Sequence, residues 1–173
     1  SGDVEILIKG SLHTDELMHE VLKRDGGLRT ERCISHVMAF DVPTYPRPLF
    51  ITDAAINISP SRDQKRDIIC NAIELAHALG NHDPKVAILS AVETVNPRMP
   101  STLDAAALCK MADRGQIKGG TLDGPLAFDN AISESAARTK GIDSPVAGRA
   151  DILVAPDLEP ANMLMKPLTY LAD

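Results

Sequence analysis

A chain of 173 residues, 44% hydrophobic and 24% charged, is long enough to bury one substantial core, or one domain with part of a neighbour. Its formal charge of -6 and the scattering of Lys and Arg among Asp and Glu argue against a polyanion-binding surface, so neither nucleic acid nor an anionic membrane is an expected partner. With no Trp, three Phe and two Tyr, the chain lacks a stacking platform for single-stranded nucleic acid and must build an aliphatic core.

Val4 to Ile8 reads as the first strand. It runs into Lys9-Gly10-Ser11 and a helix from about Asp15 to Arg24, with Thr14 as N-cap, two acids in the first turn and Gly26-Gly27 as its end. His36 to Phe40 and Leu49 to Thr52 read as strands. Pro43, Pro46 and Pro48 between them cannot donate ladder hydrogen bonds and mark a loop, which suits an antiparallel excursion. Ser61 and Gln64 form a capping-box pair ahead of a helix whose apolar stripe is Ile68, Ile69, Ala72, Ile73, Ala76 and Leu79, with Gly80 as its stop.

Lys85 to Ser90 is a continuous apolar strand of the buried parallel kind, followed by a proline-containing loop and a helix starting near Ser101. Gly119 to Leu122 is a weaker strand, Phe128 to Lys140 a helix, Ile152 to Val154 a strand, and Pro160 to Leu171 a last helix with Pro160 near its first position. This alternation predicts an α/β architecture with helices covering a largely parallel sheet.

Ligands of open α/β sheets settle at the carboxyl ends of strands. Lys9, Gly10, Ser11 and Thr14 combine a cation, a permissive glycine and two hydroxyls between strand and helix, which suits a phosphate, although the P-loop spacing is missing. The same pattern fits a helix cap with an exposed lysine. Asp123 and Asp129 flank a turn and a helix start, where capping is the commoner duty of such carboxylates. Arg149, after Gly148, offers a planar guanidinium for an oxyanion, or an ion pair with Asp151 or another acid. Asn162 and Lys166, four apart, share one face of the last helix, as residues of a solvated face would too.

Cys33, Cys70 and Cys109 fit neither a disulfide framework nor a zinc site, and the five histidines make no metal-binding spacing, so no metal is expected and a reducing cytoplasm is. No apolar run approaches the ~20 residues that span a bilayer. The start at Ser1-Gly2 without Met suggests a processed or excised segment.

Three runs carry a resemblance to a known family: Gly124 to Ser133 (GPLAFDNAIS), Ser144 to Asp151 (SPVAGRAD), and Pro156 to Leu164 (PDLEPANML) followed by Lys166. In order and spacing they resemble phosphate acetyl/butyryltransferases. Upstream, Lys9 to Met18, Gly27 to Thr30, Ile34 to Val37 and Ile51 to Ile58 resemble the butyryl-type branch, which includes the acyltransferase half of bifunctional proteins with an enoyl-CoA hydratase module. The resemblance covers essentially the whole chain.

It implies a three-layer α/β sandwich similar to isocitrate and isopropylmalate dehydrogenases, with residues 1–173 forming a single domain, the second of a two-domain enzyme, plus part of the domain junction. It also implies acyl-CoA and inorganic phosphate as substrates, CoA as cosubstrate, no other cofactor, and a homodimer. Lys9, Gly10, Ser11, Thr14, Arg149, Asn162 and Lys166 become the expected contacts for phosphate or CoA, with Gly124 and Gly148 permitting backbone approach. Family members carry a catalytic Ser-Arg pair and an Asp beyond the position of Asp173, so no catalytic residue is assigned. Ser61-Arg62-Asp63 is only a lookalike, explained by capping. The expectation is a phosphate acyltransferase missing that segment, or, from another class, a non-catalytic dimerisation or assembly domain.

Overall fold

The structure is a computed structural model and describes residues 7–25 and 27–171. The chain divides into two compact units, Ser1–Cys33 and Ile34–Asp173. The strand expected at Val4–Ile8 lies mostly outside the described residues, as does Gly26; Leu7 and Ile8 are exposed and irregular.

In the first unit, helix α1 (Thr14–Val21) is shorter than expected, and Thr14 is its first residue, not its cap. His13 occupies the cap position and gives no side-chain hydrogen bond, and none of the helix residues is buried. A helix without a side-chain cap and with no fully buried residue gains little from packing, which keeps it short. The chain then reverses, with the Leu28 amide donating to the Val21 carbonyl at 2.9 Å. A Cβ on Gly27 would fall 2.2 Å from the Lys23 carbonyl oxygen, so this reversal requires glycine.

The second unit contains β1 (Val37–Phe40), β2 (Leu49–Thr52), α2 (Arg62–Ala78), β3 (Lys85–Leu89), α3 (Pro100–Asp113), β4 (Thr121–Leu126), α4 (Phe128–Ile132), α5 (Glu134–Thr139), β5 (Ile152–Val154) and α6 (Leu158–Leu171). The sheet order is β1-β2-β5-β3-β4. Only β1 is antiparallel, pairing Val37 with Thr52 and Phe40 with Leu49; β2, β5, β3 and β4 run parallel.

Successive strand residues point to opposite faces. Phe50, Val86, Ile88, Ile152 and Val154 therefore pack with Ile69 and Ile73 of α2 and Leu108 of α3. Leu49, Ile51, Ala87, Leu89 and Leu153 pack on the other side with Ala131, Ala137 and, from α6, Leu164 and Leu168. The result is three layers, and it explains why these strands are apolar at consecutive positions.

The capping box of α2 is present: the Ser61 hydroxyl accepts from the Gln64 amide and Gln64 returns a bond to the Ser61 amide. At the other end Gly80, with φ +93°, donates to the His77 carbonyl while Asn81 donates to Ala76, which closes the helix in a Schellman arrangement.

Three expectations are corrected. The strand expected at Gly119–Leu122 is β4, which continues through Asp123-Gly124-Pro125, expected to be a turn. A Cβ on Gly124 would lie 2.7 Å from the Ile88 carbonyl oxygen, so glycine keeps β4 against β3, and the proline is tolerated because β4 is an edge strand. The helix expected over Phe128–Lys140 is split: Ser133 is extended, and its hydroxyl accepts from the Ala136 amide at 3.2 Å, ending α4 and capping α5. The last helix starts at Leu158, so Pro160 is its third residue.

Candidate functional site

The carboxyl ends of β3 and β5 and the starts of α3, α4 and α6 surround a cleft of about 460 Å³. The end of β3 supplies Leu89, Ser90 and Ala91; Met99 and Ser101 come from the start of α3, Phe128 from α4, Ala155 and Pro156 from the end of β5, and Pro160 and Leu164 from one face of α6. The described residues that line it carry no ionisable group. Their polar side chains are two hydroxyls, Ser90 and Ser101, whose Oγ atoms lie 2.8 Å apart. Ser90 is 9% exposed, and its Oγ is also 3.5 Å from the Met99 sulfur.

The loop from β3 to α3 that forms one wall is held at both ends. The fully buried Thr102 hydroxyl accepts from the Asn96 amide at 2.9 Å and lies 3.0 and 2.8 Å from the carbonyls of Asn96 and Met99. Nearer β3, Glu93 accepts from Lys140 at 2.6 Å and from the amide of Asn130. The Lys140 bond holds the Glu93 carboxyl below the usual range and the Lys140 amine above its own.

The start of α6 rests on a turn after β2. Asp53, 4% exposed, accepts from the amides of Ala55, Ile56 and Asn57 at 3.1, 3.0 and 3.1 Å and from the Asn57 side chain at 2.6 Å. Four donors satisfy this buried carboxylate. Ala54 of that turn packs against Ala155 and Ala161.

The sequence-selected residues do not line the cleft. Lys9, in the first unit, donates its amine to the Leu12 and Gly10 carbonyls of its own loop at 2.9 and 3.3 Å. Ser11 and Thr14 are exposed, and Gly10 has open space around it. Arg149 precedes β5, at the amino end of the parallel strands, and its Nε donates to Glu134 at 3.2 Å. Asp151 instead accepts from the Lys85 amide at 2.7 Å and faces Arg47 at 3.7 Å. Gly148 has φ +77°, and a Cβ there would meet the Glu134 backbone at 2.5 Å, so that glycine serves the fold. Asn162 is half-buried, donating to the Ala54 carbonyl at 3.3 Å, and Lys166 is exposed one turn later.

Asp123 accepts from the Gly124 amide at 2.8 Å, and Asp129 is exposed. The three cysteines form no disulfide with one another; burial pushes the Cys109 thiol up to about 12, which disfavours it as a nucleophile. No group of metal-binding side chains occurs among the described residues. Sequence reasoning passed over Ser90 and Ser101. Their only local signal is a serine closing an apolar strand and another opening a helix.

Residues 1–173 match the family described as phosphate acetyl/butaryl transferase. The chain belongs to that family. Within it, the chain is 66% identical over 170 residues to a phosphate acetyltransferase of Rhizobium meliloti, covering 98% of the chain and 54% of the relative. It is 49% identical over 173 residues to a phosphate butyryltransferase of Clostridium acetobutylicum, covering all of the chain and 58% of the relative. The chain thus spans little more than half the length of these curated members. Among solved structures, it resembles a branched-chain phosphotransacylase from Enterococcus faecalis V583 with a TM-score of 0.91 and 38% identity, over 99% of this chain and 61% of that one. A phosphotransacetylase from Streptococcus pyogenes matches over 79% of this chain and 41% of that one, with a TM-score of 0.69 and 31% identity. No helix among the described residues is long and apolar enough to cross a membrane.

Proposed function

We propose that the protein is a phosphate acyltransferase, exchanging the CoA of an acyl thioester for inorganic phosphate, and that the cleft at the strand ends receives the acyl end of acyl-CoA. The observation that carries this reading is the composition of the cleft: aliphatic, aromatic and thioether walls with two hydroxyls, which suit an apolar acyl group ending in a carbonyl. In the forward reaction a phosphate oxygen attacks the thioester carbonyl, a C–O bond forms, the C–S bond breaks, and CoA leaves as thiolate. Two anionic reactants must be held at one carbon, so positioning and charge stabilisation dominate the rate.

The described residues that line the cleft offer no base or cation for that work. We therefore place the titrating chemistry on a catalytic Ser-Arg pair and Asp outside residues 1–173, acting beside this chain. Lys9, Gly10, Ser11, Thr14, Arg149, Asn162 and Lys166 are proposed contacts for phosphate or for the phosphates of CoA. Arg149 would exchange Glu134 for the anion, whereas Lys166 is exposed on the helix that supplies Pro160 and Leu164 to the cleft. CoA is a cosubstrate, no metal or other cofactor takes part, and the setting is the cytoplasm.

A second reading, an assembly domain that forms a homodimer without turning over acyl-CoA, is favoured by Met163, Tyr170 and Leu171 of α6, which are 73%, 77% and 82% exposed. One assay separates the two. CoA release from acetyl-CoA and butyryl-CoA, with and without phosphate, is measured for a full-length protein containing this chain and for residues 1–173 alone. Phosphate-dependent release by the full-length protein only is the expected result. Equal turnover by residues 1–173 would place the catalytic groups within them. A dimer inert in both forms would leave the assembly reading.

A further inference from the structure

We propose that the Ser90–Ser101 pair is a hydrogen-bond donor to the thioester carbonyl oxygen, with Ser101 supplying the contacting proton; this rests on the acyltransferase reading above. Each hydroxyl has one proton and two lone-pair positions. The 2.8 Å contact uses one of the two protons. Among the described residues the other has only the Met99 sulfur at hand, 3.5 Å from Ser90, and a thioether is a weak acceptor. The pair therefore holds one donor without a strong partner, inside a cleft whose remaining lining is apolar.

The two serines differ in freedom. Ser90 closes β3 and is 9% exposed, whereas Ser101, the second residue of α3, is half-buried at the cleft wall. When Ser90 donates to Ser101, the free proton lies on Ser101; the reverse directs it from Ser90 towards sulfur. An incoming acceptor selects the first arrangement, and the Ser90 bond then polarises the Ser101 hydroxyl.

The acceptor best matched to this site is neutral. A phosphate oxygen carries a full charge that no side chain of the described lining answers, so its binding falls to the helix starts and to groups outside the lining, and the oxygen matched to a lone hydroxyl is the neutral one. A thioester carbonyl enters uncharged beneath its own apolar chain and gains negative charge only as the attacking oxygen adds. A donor fixed before that moment acts where the dielectric is low, so its bond strengthens as the reaction proceeds.

The test uses the full-length protein with Ser101→Ala and Ser101→Thr. Ser101→Ala is expected to lower kcat about 10²-fold with little change in KM, and Ser101→Thr, which retains the hydroxyl, to recover most of it. A carbonyl-labelled acyl-CoA gives an independent reading by infrared spectroscopy. Its bound band should move to lower frequency with the unsubstituted protein and Ser101→Thr, but not with Ser101→Ala. An unshifted band in the unsubstituted protein, the same band in all three, or an alanine variant with unchanged kcat overturns the assignment. Equal loss of kcat in both variants with the band retained means a packing role and overturns it too. Absence of phosphate-dependent CoA release from the unsubstituted protein defeats the acyltransferase reading, and the band of bound acyl-CoA still decides the hydrogen bond. Failure to bind acyl-CoA at all defeats both.

Discussion

Lys65 is 7% exposed and Asp104 answers its charge. Its amine donates to Asp104 at 2.8 Å, and Arg62 donates to the other carboxylate oxygen at 3.1 Å, joining α2 to α3. Burial alone would raise the Asp104 carboxyl, but the bonds from Lys65 and Arg62 outweigh it and hold the group below the ordinary 3.8. A carboxyl depressed by folding contributes stability that is complete above the unfolded value and lost as pH falls through the folded one. Asp104→Asn removes this charge and leaves the Lys65 ammonium buried with a weaker partner. We expect a loss of about 2–3 kcal/mol in denaturant unfolding near pH 7, shrinking as the pH is taken below 3.8. A loss of the same size at both pH values would mean that packing, not charge, joins the helices.

The elements most legible in the sequence are those whose ends are chemically marked nearby. β2 and β5 have the expected bounds, and α2 begins at the predicted capping box. Ser61→Ala should therefore cost about 1 kcal/mol, and adding Gln64→Ala should cost less than the sum of the single changes, because each side chain caps the other's amide. Additive losses would show that the box does not act as a unit. The misread elements depend on partners distant in sequence. Nothing local to Gly124-Pro125 announces that Ile88 lies against the missing Cβ, so the local pattern signals a turn where a strand runs. Ser133 carries a capping signal, but Phe128 to Lys140 contains no glycine or proline, so the sequence marks no break where the helix splits. Ser90 and Ser101 lie 11 positions apart, and only the fold brings their hydroxyls together.

Across the whole molecule, protection is expected to follow the sheet. Val86 to Ile88 and Ile152 to Val154 are at most 4% exposed and lie in strands bonded on both sides, whereas α1 has no buried residue. Amide hydrogen exchange should therefore be slowest in β3 and β5, where release needs global opening, and fastest in α1. Equal protection of α1 and β5 would contradict that ranking. The same strand order has a consequence for synthesis. β5 is the last of the described strands in chain order, yet it lies between β2 and β3. Until Ile152 to Val154 leave the ribosome, the nascent chain can hold β1 with β2 and β3 with β4, and α2 can lie against both pairs, but no described strand hydrogen-bonds one pair to the other. Both inner edges then stand open, with unpaired amides beside apolar side chains. Just before that short segment emerges both edges are exposed together, and three residues then close them at once.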